Sequence, residues 1–276
     1  MNELNEELNN LLMLKESEKM PVLFVGHGSP MIALEENEFV DGFRTVANST
    51  IKPAAILCIS AHWFIRGTKV TAMENPKTIH DFGGFPDKLY EVQYPAKGDP
   101  ELAKAVKQIL SPVQVELDES WGLDHGAWTV IKHFYPKADV PIVELSIDYT
   151  KQAEYHYQLA KKLGVLRRKG VLIMGSGNII HNLNLVDFRD FYRDDYGYDW
   201  AKEAKATMNR WILDDDHEAL INYQKQSKAI QMAIPSPDHF IPLIYILGLK
   251  EKNETVTLFN DKLVGRSLSM TSMKIY

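Results

Sequence analysis

The sequence predicts an α/β fold, a single domain with a central, largely parallel or mixed sheet flanked by helices. Three observations predict it. Uninterrupted apolar runs recur at PVLFVG (21–26), PAAILCISA (53–61), VPIVELSI (140–147) and GVLIMGSG (170–177), the pattern of strands buried on both faces. Amphipathic helical stretches alternate with these runs. No internal repeat or low-complexity linker divides the 276 residues, and single α/β domains commonly reach about 250 residues.

The elements follow in order. Leu4, Leu8, Leu11 and Leu12 fall at helical spacing among Glu and Asn, so residues 2–16 read as a short amphipathic helix. Residues 1–18 are expected to form an arm ahead of a catalytic domain over 19–276. The arm either docks on its own domain or makes a homodimer contact. After the strand at 21–26 comes a helix over 35–47, then the strand at 53–61 and a further strand over 67–73. Residues 75–98 are rich in Gly, Pro and aromatics and read as a long structured loop; loops beyond about 12–15 residues are uncommon unless functional. DPELAKAVKQIL (99–110) opens on Asp-Pro, a helix start. A strand over 113–117, a helix over 126–134, the strand at 140–147 and an amphipathic helix over 151–168 lead to the strand at 170–177. One or two helices over 198–226, a helix over 240–249 and a closing strand over 255–260 complete the chain.

Composition excludes several classes of function. Apolar residues make up 45% and charged residues 25%, which is globular and not disordered composition. Acidic residues outnumber basic ones 37 to 31, for a net charge of −6, which argues against nucleic acid as a partner. No apolar run approaches the roughly 20 residues of a membrane span, and the start MNELNEELNN is acidic where a signal peptide is basic. The one cysteine, Cys58, lies in a strand run and excludes both an internal disulfide and a cysteine-based zinc site. A reducing, cytoplasmic setting is expected.

The chemistry lies in the histidines, at 27, 62, 80, 125, 133, 156, 181, 217 and 239. His27 directly follows one strand run in GHGSP, His62 another in SAHW, and His181 lies just past a third in GSGNIIHN. Open α/β sheets bind ligands at the carboxyl ends of their strands. His125 in GLDHGAW and His239 in SPDHFIPL occupy Gly- or Pro-marked loops. One strand-end histidine is usually structural; three in equivalent places, with two more in such loops, point to a metal site, since imidazole suits zinc and iron. His156 and His217 fall in polar helical stretches and read as solvated. His133 reads as core or surface, and His80 as a residue the aromatic loop brings near the site. No complete GxGxxG, P-loop or GxSxG motif is present.

These motifs, GHGSP, SAHW, IHDFGGFPDKLYEVQYPA, LDHGAW, GSGNIIHNL and PDHFIPL, run in order from about residue 21 to 248. They resemble the DODA-type extradiol aromatic ring-opening dioxygenases of the LigB-like superfamily, close to the bacterial 4,5-DOPA dioxygenase branch. The resemblance implies one α/β domain and a mononuclear non-haem metal site. It implies His27 and His62 as metal ligands, with His239 where protocatechuate-type members carry a glutamate ligand. His181 matches an acid–base histidine, expected to touch the metal at rest and to move protons during turnover. His125 matches a second active-site histidine beside the substrate. The implied substrates are O₂ and a small catechol such as L-DOPA, with Fe(II) for turnover and Zn(II) as another metal the site can bind. Phe82, Phe85, Tyr90 and Tyr94 either wall the substrate ring or simply pack their loop. Asp124 and Asp238 either orient neighbouring imidazoles or serve as capping and loop residues. The rival expectation is a mononuclear zinc hydrolase using the same histidines to activate water, although HExxH is absent.

Overall fold

The computed structural model describes residues 16–193 and 196–276. The expected arm lies outside the described residues except for its last three, where Ser17 N–H donates to Arg168 O at 2.9 Å.

The strands are β1 (Val22–Gly26), β2 (Ala55–Ser60), β3 (Phe64–Ile65), β4 (Thr68–Thr71), β5 (Val115–Asp118), β6 (Ile142–Glu144), β7 (Ile147–Asp148), β8 (Val171–Gly177), β9 (Val256–Phe259), β10 (Leu263–Val264), β11 (Leu268–Ser269) and β12 (Ser272–Ile275). The helices are α1 (Glu38–Asn48), α2 (Asp87–Tyr90), α3 (Pro100–Ile109), α4 (His125–Phe134), α5 (Ala153–Leu163), α6 (Asp199–Leu213), α7 (His217–Ile221), α8 (Lys228–Ala233) and α9 (Ile241–Gly248). A six-stranded sheet runs in the order β6-β2-β8-β1-β12-β9. The first four are mutually parallel, β12 is antiparallel to β1, and β9 to β12.

Side chains alternate across the sheet and divide the core in two. Val22, Phe24, Leu57, Ile59, Val171 and Ile173 face α3, α5, α6 and α9, while Leu23, Val25, Ile56, Cys58, Leu172 and Met174 face α1 and α4. Both faces are covered, which is why the strand runs are apolar throughout. The expected α/β single domain is therefore a three-layer sandwich. Asp99 and Pro100 open α3 as the sequence implies, with the Asp99 carboxylate accepting from Leu102 N–H.

Four expectations change. The strand at 67–73 is β4, but it pairs with β5 in a separate two-stranded sheet. The strand at 140–147 divides, because beyond Glu144 the chain leaves β2 and Ile147–Asp148 pair with β3. The helix at 151–168 stops at Leu163 and continues as a 3-10 turn from Gly164. The strand that inserts beside β1 is β12, which the sequence reading did not find; the expected closing strand is its neighbour β9. No described helix is long and apolar enough to cross a membrane.

Candidate metal centre and active site

Three adjacent parallel strands, β2, β8 and β1, end side by side, and their carboxyl ends carry the site. His27 leaves β1 with its N–H donating to Gly177 O at 3.1 Å. Gly28 follows at φ +63°, a left-handed turn, and a Cβ there would meet Met270 Sδ at 2.5 Å. His62 leaves β2 two residues past Ser60, with its N–H donating to Ser60 Oγ at 3.3 Å. His125 opens α4, whose N-cap Asp124 accepts from Ala127 N–H at 3.1 Å and from the Ser60 hydroxyl at 2.6 Å. His239 precedes α9 and is tied to the end of β8, as Asn178 N–H donates to its carbonyl at 3.0 Å. His181 N–H donates to Ala233 O at 2.9 Å.

The expected residues converge as two abutting groups. Nitrogens of His27, His62 and His125 lie within 4.8 Å of one another, as do ligand atoms of His181, Asp238 and His239. The rings of His27 and His62 stand 5.1 Å and 5.0 Å from that of His239, and the His181 ring stacks on His239 at 3.5 Å. His125 is closer to the cluster than a purely substrate-facing role requires, its ring 3.7 Å from that of His62.

The hydrogen bonds select tautomers. Ser176 O–H donates to Gly126 O at 2.5 Å, so its oxygen accepts from His27 Nδ1–H at 3.0 Å. That leaves the Nε2 lone pair of His27 free. His62 turns Nδ1 toward Asp81 Oδ2, 3.6 Å away, leaving its Nε2 3.3 Å from that of His27. His239 Nδ1–H donates to Asp238 Oδ2. Asp81 Oδ1 accepts from His125 N–H at 2.9 Å and also lies 2.9 Å from His125 Nδ1, off the hydrogen-bond line. His27 Nε2 and His62 Nε2 lie 3.3 Å apart, close enough to share a proton in the metal-free protein or to bind one ion between them, and a set of neutral imidazoles is the donor chemistry that suits a first-row metal ion. The hydroxyl behind His27 and the carboxylates behind His62 and His239 are the usual support of such ligands.

Burial, reinforced by the neighbouring imidazoles, holds His27 and His62 well below the usual histidine range. Burial and then His239 bring His181 down to about 3, with Asp238 opposing. All three are neutral at pH 7, the form that binds metal. Beneath the site Glu144 Oε1 accepts from Asp124 N–H at 3.0 Å, and burial together with their mutual proximity raises the Glu144 carboxyl well above its ordinary range.

The aromatic residues separate. Phe82 stands edge-on to His125 at 5.4 Å and packs on Phe85 and Tyr90. Tyr94 is not brought to the histidines: it is 3% exposed in the core, and its hydroxyl donates to Tyr135 O at the far end of α4. His80 donates Nε2–H to Val92 O at 2.9 Å, and Trp128 Nε1–H donates to Ile79 O at 2.8 Å. Together they pin the long loop that delivers Asp81. His156 is buried against the Tyr245 hydroxyl and is not solvated. His133 is a core residue whose Nε2–H donates to Ile32 O. Sequence reasoning missed Asp81 and Ser176, although Asp81 sits inside the IHDFGGFP motif beside a histidine.

Fold and site together define a metal-dependent enzyme built on a three-layer α/β sandwich. Residues 21–272 match the family described as the catalytic LigB subunit of aromatic ring-opening dioxygenase. The chain is 42% identical to the 4,5-DOPA dioxygenase extradiol of Escherichia coli (strain K12), over 95% of this chain and 97% of that protein. It is 33% identical to the protein of the same name from Beta vulgaris, over 91% and 94%. The crystal structure of an uncharacterized Escherichia coli K12 protein superposes with a TM-score of 0.80 at 38% identity, covering 93% of this chain and 100% of that one. The chain belongs to the LigB family and is an extradiol aromatic ring-opening dioxygenase. The comparisons do not favour the hydrolase.

Proposed function

We propose that the enzyme opens the ring of a catechol of the L-DOPA type with O₂ at a single Fe(II) held by His27, His62 and His239. The observation that carries this reading is the 3.3 Å approach of His27 Nε2 to His62 Nε2, with the opposite nitrogens turned to Ser176 and Asp81. The substrate type follows from the relatives named 4,5-DOPA dioxygenase extradiol. Bound iron supplies the redox chemistry that lets O₂ react with a catechol; zinc, which has no accessible redox change, fills the site without driving the step.

The protein's own groups orient the ring and move protons. Phe82, backed by Phe85, stands edge-on to His125 and walls the aromatic ring. His125 takes a catechol proton at Nε2, and the resulting imidazolium is stabilised by Asp81 Oδ1, 2.9 Å from Nδ1. His181, neutral at pH 7 and stacked on His239, would be a further ligand at rest and would exchange protons with the substrate during turnover.

The test is oxygen uptake by metal-stripped protein reloaded anaerobically with Fe(II) or Zn(II) and given L-DOPA. Uptake with Fe(II) alone, with a yellow ring-opened product, is expected. No uptake with either metal despite stoichiometric Fe(II) binding overturns the reading.

A further inference from the structure

Two carboxyl groups are buried together beneath the histidines. Glu144 ends β6, Asp124 caps α4, and neither side chain reaches solvent. Asp124 is held from three sides. Its N–H donates to Glu144 Oε1 at 3.0 Å, and its Oδ1 accepts from the Ser60 hydroxyl at 2.6 Å and from Ala127 N–H at 3.1 Å. These donors are backbone N–H groups and one hydroxyl; none is a lysine or arginine. The second oxygens, Glu144 Oε2 and Asp124 Oδ2, are buried with no N–H or O–H directed at them. Two ionised carboxyls do not persist so placed, since burial and like charge both disfavour the ionised form. A proton on Glu144 removes the conflict: its O–H donates, and the open oxygen of Asp124 accepts. Burial, then the charge of Asp124, raise the Glu144 carboxyl well above its ordinary range. Burial and Asp81 raise Asp124 as well, with the hydrogen bond from Glu144 opposing.

We propose that Glu144 is a positioning residue for His125: it keeps a proton that it donates to Asp124, and so locks the first turn of α4 to the ends of β2 and β6. This rests on the catechol reading above, in which His125 takes the substrate's proton. Asp124 directly precedes His125, and its carbonyl accepts from Ala127 N–H at 3.1 Å and from Trp128 N–H at 2.9 Å, the first N–H groups bonded within the helix. A rotation of Asp124 therefore carries the His125 backbone with it. The His125 ring then moves relative to Asp81 Oδ1, which lies 2.9 Å from its Nδ1. Glu144 lies behind Asp124 and acts only through it, as an uncharged donor that an amide can replace.

The test compares Glu144→Gln, which keeps an acceptor and an uncharged donor, with Glu144→Leu, which keeps neither. In the Zn(II)-loaded protein at neutral pH, the infrared C=O stretch of a protonated carboxyl is expected in the wild type and lost in both variants. The nitrogen resonances of the His125 imidazole, assigned with His125→Asn, are expected to stay in place in Glu144→Gln and to move in Glu144→Leu. With Fe(II) and L-DOPA, kcat of the Gln variant is expected within about twofold of wild type and that of the Leu variant about 10- to 100-fold lower, at unchanged KM and iron content, as a misplaced proton acceptor requires. If the Leu variant does not fold, the infrared band and the Gln variant decide. Absence of the band from the wild type, its survival in Glu144→Gln, or a Gln variant as impaired as the Leu variant overturns the inference. So does a Leu variant whose His125 resonances and kcat match wild type. No oxygen uptake by the wild type overturns the catechol reading alone, since the band and the resonances decide the role of Glu144 without it.

Discussion

At His27 the tautomer is set by a hydroxyl whose own proton is already committed. Ser176 donates to Gly126 O, so it can only accept from His27 Nδ1–H. Ser176→Ala removes that acceptor and lets the ring turn or change tautomer. The expected result is a roughly 10- to 100-fold loss of metal affinity with the fold intact, read by competition with a chromophoric chelator; unchanged affinity would show that the hydroxyl does not orient the ring. At this scale the strand-end histidines were legible, because His27 and His62 begin where their apolar runs stop and His181 follows its run within four residues. Ser176 and Asp81 were not, because their partners lie far off in sequence and a hydrogen bond between side chains leaves no periodicity.

The elements meet at very short range where β8 passes the start of α9. A Cβ on Gly177 would lie 2.2 Å from His239 O. Gly177→Ala must therefore push α9 and His239 away from the sheet. It is expected to destabilise the protein by about 1–3 kcal/mol, as overpacking does, and to weaken metal binding as well. Denaturant melts and metal titration check both effects, and a variant as stable and as tightly metallated as wild type would contradict the contact. β1, β2 and β8 could be read because strands buried on both faces are apolar without a break. β12 could not: SMKI places Met273 and Ile275 in the core in alternation with Ser272 and Lys274, too short a pattern to stand out from the polar stretch before it. The division of 140–147 was hidden because Leu145 stays buried where the strand leaves the sheet.

Over the whole molecule, buried neutral histidines tie stability to pH. Burial holds His27 and His62 well below 6.5 and brings His181 to about 3 and His156 to about 4. Between those values and 6.5 the unfolded chain binds protons that the folded chain does not. Stability is thus full above about pH 6.5 and is lost as pH falls, by about 1.4 kcal/mol per pH unit for each such group. The metal-free protein is expected to melt at steadily lower temperature from pH 7 to pH 5. The metal-loaded form should hold its melting temperature further into acid, because the metal competes with protons for the ligand nitrogens. A metal-free melting temperature that stays flat over this range would contradict the buried neutral imidazoles. The three-layer plan itself was legible at this scale, since alternating apolar strands and amphipathic helices admit few other arrangements. The neutrality of His27, His62 and His181 was not, because it follows from their burial among histidines brought together from separate segments.

The central claim is that one metal ion is held by imidazoles at the carboxyl ends of β1 and β2. Elemental analysis joined to iron K-edge absorption on anaerobically Fe(II)-loaded protein tests it most directly. The account predicts one iron per chain with imidazole nitrogen in its coordination shell, lost in His27→Ala and His62→Ala and kept in His133→Ala. Iron bound with the same stoichiometry and spectrum in His27→Ala and His62→Ala would contradict it.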